Sequence, residues 1–457
     1  MLRLAAGQVE SLWDEVLPGE VRELPEDLAA LDALLRDTML FAPIAASWRE
    51  EAVAQGRPTI SMATYVRLMV IKQRTGWGYE TLVREVSDSF HLRRFCLIAL
   101  GERVPDESTV RKLTRRLGGE VVKELTRCVI AKAQRETRFR ARAVRIDSTV
   151  VEADVRYPSD SALALDGARA LAREAKKVMA LVGESTGRVR DRTRAIGRRL
   201  RMISKTMGRR TGERREEVLR LTEQARRLLA RSLREARRLA AAAHRSARGR
   251  GARPKLAAVK RLQEMAERAE RVVIQIKRRL AGEPNPNRLV SMFDPDARPI
   301  RKGKLGKPNE FGYVVQICEV TQSTKRGARG FIVPSATKLG NPKEHQLLHD
   351  TIGELDQLGL RPREVALDGG FEKRPTSDAL AQLAPDRVFI AGRQQPGSRR
   401  TQRRLARYRT GAEGRISHLK RGYGMRRSRL KGEDGMKAWT GWAILAYNLD
   451  TLAIRAN

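Results

Sequence analysis

Residues 141–155 read ARAVRIDSTVVEADV, and the Val, Ile and Thr content predicts a strand. Asp147 falls in its middle. A carboxylate inside an apolar strand is expensive to desolvate unless it is paired or bound to a metal. Alternation along the strand puts Thr149 and Val151 on the face of Asp147, and Glu152 and Asp154 on the opposite one. At this point two readings stand: a strand-end salt bridge, or a metal ligand.

Upstream of this strand the sequence is helical. LPEDLAALDALLRD (24–37) reads as a capped amphipathic helix. SMATYVRLMVIKQRTGW and YETLVREVSDSFHLRRFC carry apolar residues at helical spacing. Pro105-Asp106-Glu107-Ser108 then opens a basic helix presenting Arg111, Lys112, Arg115 and Arg116. A short turn before such a helix is compatible with a helix-turn-helix that reads DNA. Residues 1–139 are therefore expected to be an N-terminal helical domain for DNA binding and dimerisation.

Downstream, residues 158–284 form a compositional block. Between 161 and 282 there are 35 Lys and Arg against 12 Asp and Glu, an excess of 23 out of the chain's net +38. Breakers at GRRTG (208–212) and GRGARP (249–254) predict about three long helices. Val218, Leu221, Ala225 and Leu228 form one apolar stripe. Leu256, Val259, Leu262, Ala266, Ala269, Val273, Ile276 and Leu280 form another. The sign of the charge is too one-sided for i,i+4 pairing, so an anionic partner is expected.

Strand character returns after PNPNR (284–288). NRLVSMF, GYVVQICEVTQS and RGFIVPSAT read as an antiparallel meander with a basic turn at RKGKLGKPNEF. NPKEHQLLHDTIGELDQLG predicts a helix with Asn341 as N-cap and Pro342 at N1. REVALDGGF is an apolar strand with an acid, Asp368, at its carboxyl end before a Gly-Gly turn. VFIAGRQ is a further short strand. In LARYRTGAEGRISHLKRGYG (405–424), Arg409, Glu413 and Lys420 fall within about 40° of one another on a helix. One acid between two cations suits a phosphodiester and a divalent metal, as hard oxygen ligand and phosphate donors respectively. A last helix, from about Asp434 to Ala456, carries Trp439, Trp442, Leu445, Leu449 and Leu452 as core.

Composition narrows the partners. With 92 Lys and Arg against 54 Asp and Glu in 457 residues, the excess cannot be cancelled internally, and nucleic acid is the first candidate. No basic segment is paired with an aromatic-rich apolar face, which disfavours a membrane surface. Three widely spaced cysteines give no disulfide framework, and five scattered histidines give no zinc site. The acidic start MLRLAAGQVESLWDEV is not a signal peptide, and the segment Trp439 to Ile454 is too short for a bilayer. A reducing, cytoplasmic setting is expected.

An acid on a first strand, a meander, a helix, a second acid closing a later strand and a third on a C-terminal helix suffice for a mixed sheet with three converging carboxylates. Such a set would hold two Mg²⁺ ions for in-line displacement at phosphorus. The pattern resembles the DDE transposases of bacterial insertion sequences, and within them an ISNCY-like group. The resemblance rests on DSTVVEADVRYPSDS, ALDGGF and GAEGRISHLKRGYGMRR and extends over about 55–155 and 285–455. It implies an α/β fold with an RNase H-like mixed-sheet core (140–157 and 285–457), interrupted after the first strand by an Arg-rich helical insertion (158–284). It implies Asp147, Asp368 and Glu413 as the catalytic, metal-binding triad, with Mg²⁺ (or Mn²⁺) as cofactor. Arg409 and Lys420 match the R-x3-E-x6-K signature that contacts transposon-end DNA. The Tyr that opens the fuller signature is replaced by Ala406, with Tyr408 nearby.

The same resemblance implies a bacterial enzyme, cytoplasmic and nucleoid-associated when on DNA, that acts as a homodimer. It binds double-stranded DNA at terminal inverted repeats, cleaves the ends and joins the 3′-hydroxyls to target DNA. An RNase H-like nuclease or resolvase without joining, and a non-catalytic DNA-binding protein, are the alternatives. One departure stands out. Better-known DDE enzymes carry their insertion before the Glu helix, whereas here only 45 residues separate Asp368 from Glu413.

Overall fold

The computed structural model describes residues 2–5, 15–48, 59–183, 187–206, 212–249, 251–304, 307–394 and 396–456. The chain forms two compact units, one of residues 1–154 with 312–457 and one of residues 155–311.

The first unit contains, in chain order, α1 (Met62–Thr75), α2 (Glu107–Glu136), β1 (Ala143–Ala153), β2 (Lys307–Thr321, from Gly312 onward), β3 (Phe331–Ile332), β4 (Ala336–Thr337), α3 (Glu344–Gln357), β5 (Glu364–Leu367), β6 (Arg387–Ile390), α4 (Arg399–Gly422), β7 (Arg427–Ser428) and α5 (Gly432–Ala456). Shorter helices include Glu26–Leu35, Tyr79–Asp88 and Phe90–Phe95. Mixed α/β architecture follows from the sheet order β2-β1-β5-β6, with β3 and β4 on the outer side of β2. β1 runs antiparallel to β2, from Ala143↔Thr321 to Glu152↔Gly312. It runs parallel to β5, from Ala143↔Glu364 to Ile146↔Leu367. β6 lies parallel to β5, and β7 pairs with β1 at Glu152 and Ala153.

The two faces of β1 separate as its alternation predicts. Val144 and Ile146 join Val365, Leu367, Trp442 and Leu449 in the main core. Ala143 packs on the other face with Ala366 and Tyr408 of α4. α5 supplies the apolar stripe expected of it, with Trp442 fully buried and edge-on to Tyr65 of α1 at 5.6 Å. Close packing of α2 on α5 needs Gly119, since a Cβ there would lie 2.7 Å from the Lys437 Cβ.

Several expectations are corrected. α3 begins at Glu344, with Lys343 as N-cap instead of Asn341. The Lys343 amide donates to Gln346 Oε1 at 2.9 Å, a bond that closes the first turn behind Pro342. NRLVSMF forms no strand: the Leu289 amide donates to the buried Gln275 Oε1 at 3.1 Å, so a helix side chain replaces a ladder partner. RGFIVPSAT yields only the two-residue β3 and β4. The turn of the basic hairpin, residues 305–306, lies outside the described residues. Eleven residues, 96–106, separate Phe90–Phe95 from α2, so the 3–4-residue turn of a helix-turn-helix is not formed there. α2 itself kinks at Gly118, whose φ of 67° only glycine adopts cheaply.

The second unit is a helical bundle of Asp160–Val182, Thr193–Thr206, Gly212–Ser246 and Ala252–Leu280, followed by the strand Arg298–Lys304. Among the described residues, four helices replace the expected three because the first divides after Gly183, at a φ of 85°; residues 208–211 of the GRRTG breaker are not among those described. The stripes are shifted by one residue at Leu229 and Val272, which are fully buried where the spacing predicts Leu228 and Val273. Over several turns a 3.6-residue helix drifts from a strict 3.5 repeat. Gly167 admits Leu229, whose Cδ1 would sit 3.1 Å from an added Cβ. Asp160 ties the bundle's ends together: buried, it accepts from Arg279 at 2.8 Å and Arg288 at 3.1 Å.

Candidate metal centre

β1 and β5 share their last parallel rung at Ile146↔Leu367. Asp147 and Asp368 are the next residues on the two strands, so strand spacing alone, about 4.8 Å, sets their backbones side by side. Asp147 is 9% exposed. Burial first, and the charge of Asp368 second, push its carboxyl up to about 6, while the Ser148 amide at 2.7 Å and the Arg409 charge act against this. The Glu413 charge adds to the upward push.

Glu413 reaches this region on α4. Gly411, costly inside a helix, is explained by a close approach: a Cβ there would lie 1.8 Å from Arg145 Nη1. Arg145 crosses under α4, donating to the Tyr408 carbonyl at 3.2 Å and to Glu319 at 2.7 Å. Glu319 is buried and also accepts from Arg415 of α4 at 2.9 Å. Tyr408 is buried with its hydroxyl 2.7 Å from that of Thr321, so it serves the packing of this helix.

Arg409 joins two of the acids. Its Nη1 donates to Asp368 Oδ1 at 2.5 Å and its Nη2 to Glu413 Oε1 at 2.8 Å. Its own side chain is 14% exposed, that of Glu413 66%. In this conformation its guanidinium binds acids, whereas the helical spacing points it at DNA. Lys420 lies on the same helix, half-buried.

One acid is not evident from the sequence. Among the described residues, the group suited to a cation is Asp147, Asp368 and Glu344, with one ligand oxygen from each within 4.8 Å of the others. The donor set is all hard oxygen, the chemistry Mg²⁺ or Mn²⁺ takes and Zn²⁺ or Cu²⁺ does not prefer. By spacing, Glu344 is an ordinary first-turn acid; only the placement of α3 brings it here.

The N-terminal cations have other surroundings. Arg111 pairs with Glu107 at 2.7 Å and lies over the Tyr79 ring, and Arg116 stacks on Trp48 at 3.7 Å. Lys112 and Arg115 are exposed. A basic groove of about 1200 Å³ runs along α4, lined by Arg400, Arg403 and Arg407 with Lys325 and Arg326 opposite. The i, i+3, i+7 spacing in RRTQRRLAR is the signal for it.

A family model described as transposase domain (DUF772) matches residues 20–116, and one described as transposase DDE domain matches residues 302–449. No curated protein and no solved structure matches the chain.

Proposed function

We propose, for a chain that belongs to the DDE transposases of insertion sequences, that it binds double-stranded DNA at the terminal inverted repeats of its own element. It hydrolyses a phosphodiester at each end to expose a 3′-hydroxyl, then joins that hydroxyl to target DNA. The observation that carries this reading is the pair Asp147 and Asp368, one step beyond a shared parallel rung. The order β2-β1-β5-β6 supports an RNase H-like core around them.

Asp147, Asp368 and Glu413 are assigned as the carboxylates that hold the divalent ions, Mg²⁺ or Mn²⁺. When bound, these ions stabilise charge on the attacking and leaving oxygens of an in-line displacement. Arg409 holds Asp368 and Glu413 together through one guanidinium, neutralising part of a cluster that would otherwise repel itself. Arg400, Arg403 and Arg407 line a groove on the helix that carries Glu413, and phosphates on this track are neutralised along that helix. Lys420 adds a cation two turns beyond Glu413, and Arg111, Lys112, Arg115 and Arg116 are assigned to DNA contact on α2. The enzyme works as a homodimer, in the cytoplasm. No described helix is long and apolar enough to cross a membrane.

Asp147→Asn, Asp368→Asn and Glu413→Gln should each abolish Mg²⁺-dependent strand cleavage of an end-containing duplex, with gel-shift binding of that duplex largely kept. Cleavage retained by any one of the three removes that residue from the triad. Pre-cleaved ends offered with target plasmid separate joining from hydrolysis: no joined product means a nuclease.

A further inference from the structure

We propose that Glu344 is a metal ligand of this centre, a fourth carboxylate beside Asp147, Asp368 and Glu413. The inference rests on reading those acids as a divalent-ion site and adds a residue from α3. Three observations carry it. First, Glu344 closes the one described group whose ligand oxygens lie within 4.8 Å of each other, with Asp147 and Asp368 as the others. Glu413 is instead held by Arg409 at 2.8 Å and is two-thirds exposed.

Second, its position is built. Glu344 is the first residue of α3, and its carbonyl accepts from Gln316 Nε2 at 2.9 Å. Gln316 is fully buried on β2, opposite Ser148 in the register, and its Oε1 accepts from Thr351 of α3 at 2.7 Å. One buried amide thus pins the start of α3 to the rung next to Asp147. A surface acid placed only for solubility needs no such anchor.

Third, the turn after Asp368 leaves room for this carboxylate. A Cβ on Gly370 would lie 2.6 Å from Glu344 Oε2 and 3.0 Å from its Cδ. The second glycine of ALDGGF therefore lets the Glu344 carboxylate lie against the backbone that carries Asp368. Hard cations favour several oxygen ligands, and carboxylates from three separate elements are an arrangement they accept.

The test is Mn²⁺ binding to the full chain without DNA, followed by the electron paramagnetic resonance signal of free Mn²⁺. Glu344→Gln should weaken binding at least about tenfold. Gly370→Ala, which keeps every charge but displaces the Glu344 carboxylate, should weaken it in the same direction. Melting temperature in EDTA serves as the folding control, and a cooperative melt in each variant shows that lost Mn²⁺ affinity is not lost fold. Unchanged Mn²⁺ affinity in Glu344→Gln, with a clear loss in Asp147→Asn, overturns the role of Glu344 and leaves the centre standing. Equal affinity in wild type, Asp147→Asn, Asp368→Asn and Glu344→Gln overturns the metal centre itself, and this inference with it.

Discussion

Arginine is put to two different uses in the two units. In the unit built on the sheet, buried or half-buried arginines meet acids brought from far along the chain. Arg145 and Arg415 converge on Glu319, Arg127 on Glu354 and Arg67 on Asp32. In the helical unit some acids pair within one turn, as in Arg220 with Glu217 and Arg226 with Glu223, and others tie separate segments together, as in Arg192 with Glu235 and Arg237 with Glu270. Its acids are too few to serve most of its arginines, since the block carries about three basic residues for each acidic one. The lesson is that net charge says little until pairing is known: the first kind of arginine builds the fold, and the second is available to a polyanion.

The sharpest way to break this contrast is at Glu319, 1% exposed. Glu319→Gln leaves two guanidinium groups facing a neutral amide and should cost about 3–5 kcal/mol, read as a shift of the urea midpoint. The same substitution at Glu217, on the helical unit's surface, should leave the urea midpoint where it is. Equal costs would erase the distinction.

Deletion of residues 161–282 is expected to lower DNA affinity by at least about tenfold at low salt and to flatten the plot of log K against log salt. The slope shrinks by about 0.9 for every phosphate that is no longer neutralised. An unchanged slope would assign those arginines to another partner.

A smaller effect is expected at Asp147. Its carboxyl is raised from 3.8 to about 6, so the folded state binds the proton more tightly than the unfolded one does. Stability therefore falls as pH rises from about 4 to 6 and stays reduced above that. Asp147→Asn should then stabilise the metal-free protein at pH 7, by at most about 3 kcal/mol, and do little at pH 4. Thermal melts in EDTA at the two pH values decide it, and a mutant that melts lower at pH 7 would contradict the assigned burial and repulsion.

Local patterns in the sequence carry much of this. The acid inside a β-branched run, the acid closing an apolar strand and the common face of Arg409 and Glu413 are legible because periodicity and strand ends are local properties. The stripe of α5 is legible for the same reason. Long-range bonds are not. Glu344 enters the centre because Gln316 anchors α3 across the sheet, and no spacing near Glu344 reports that. Gly411 is only a helix penalty until Arg145 is seen beneath it. NRLVSMF has the residues of a strand, yet the amide of Gln275 claims its backbone. Arg409 reads as a phosphate donor because its acid partner Asp368, 41 positions away, is invisible to a helical wheel.

The rung Glu152↔Gly312 has a further meaning. Glu152 and Gly312 are partners on neighbouring strands, so the two ends of residues 153–311 are already together. A hairpin of a few residues would close that gap, and the core strands would keep their register. To the sheet, the whole bundle is a decorated turn. Gain, loss or exchange of such a segment would leave the pairing of β1 with β2 and β5 as it stands.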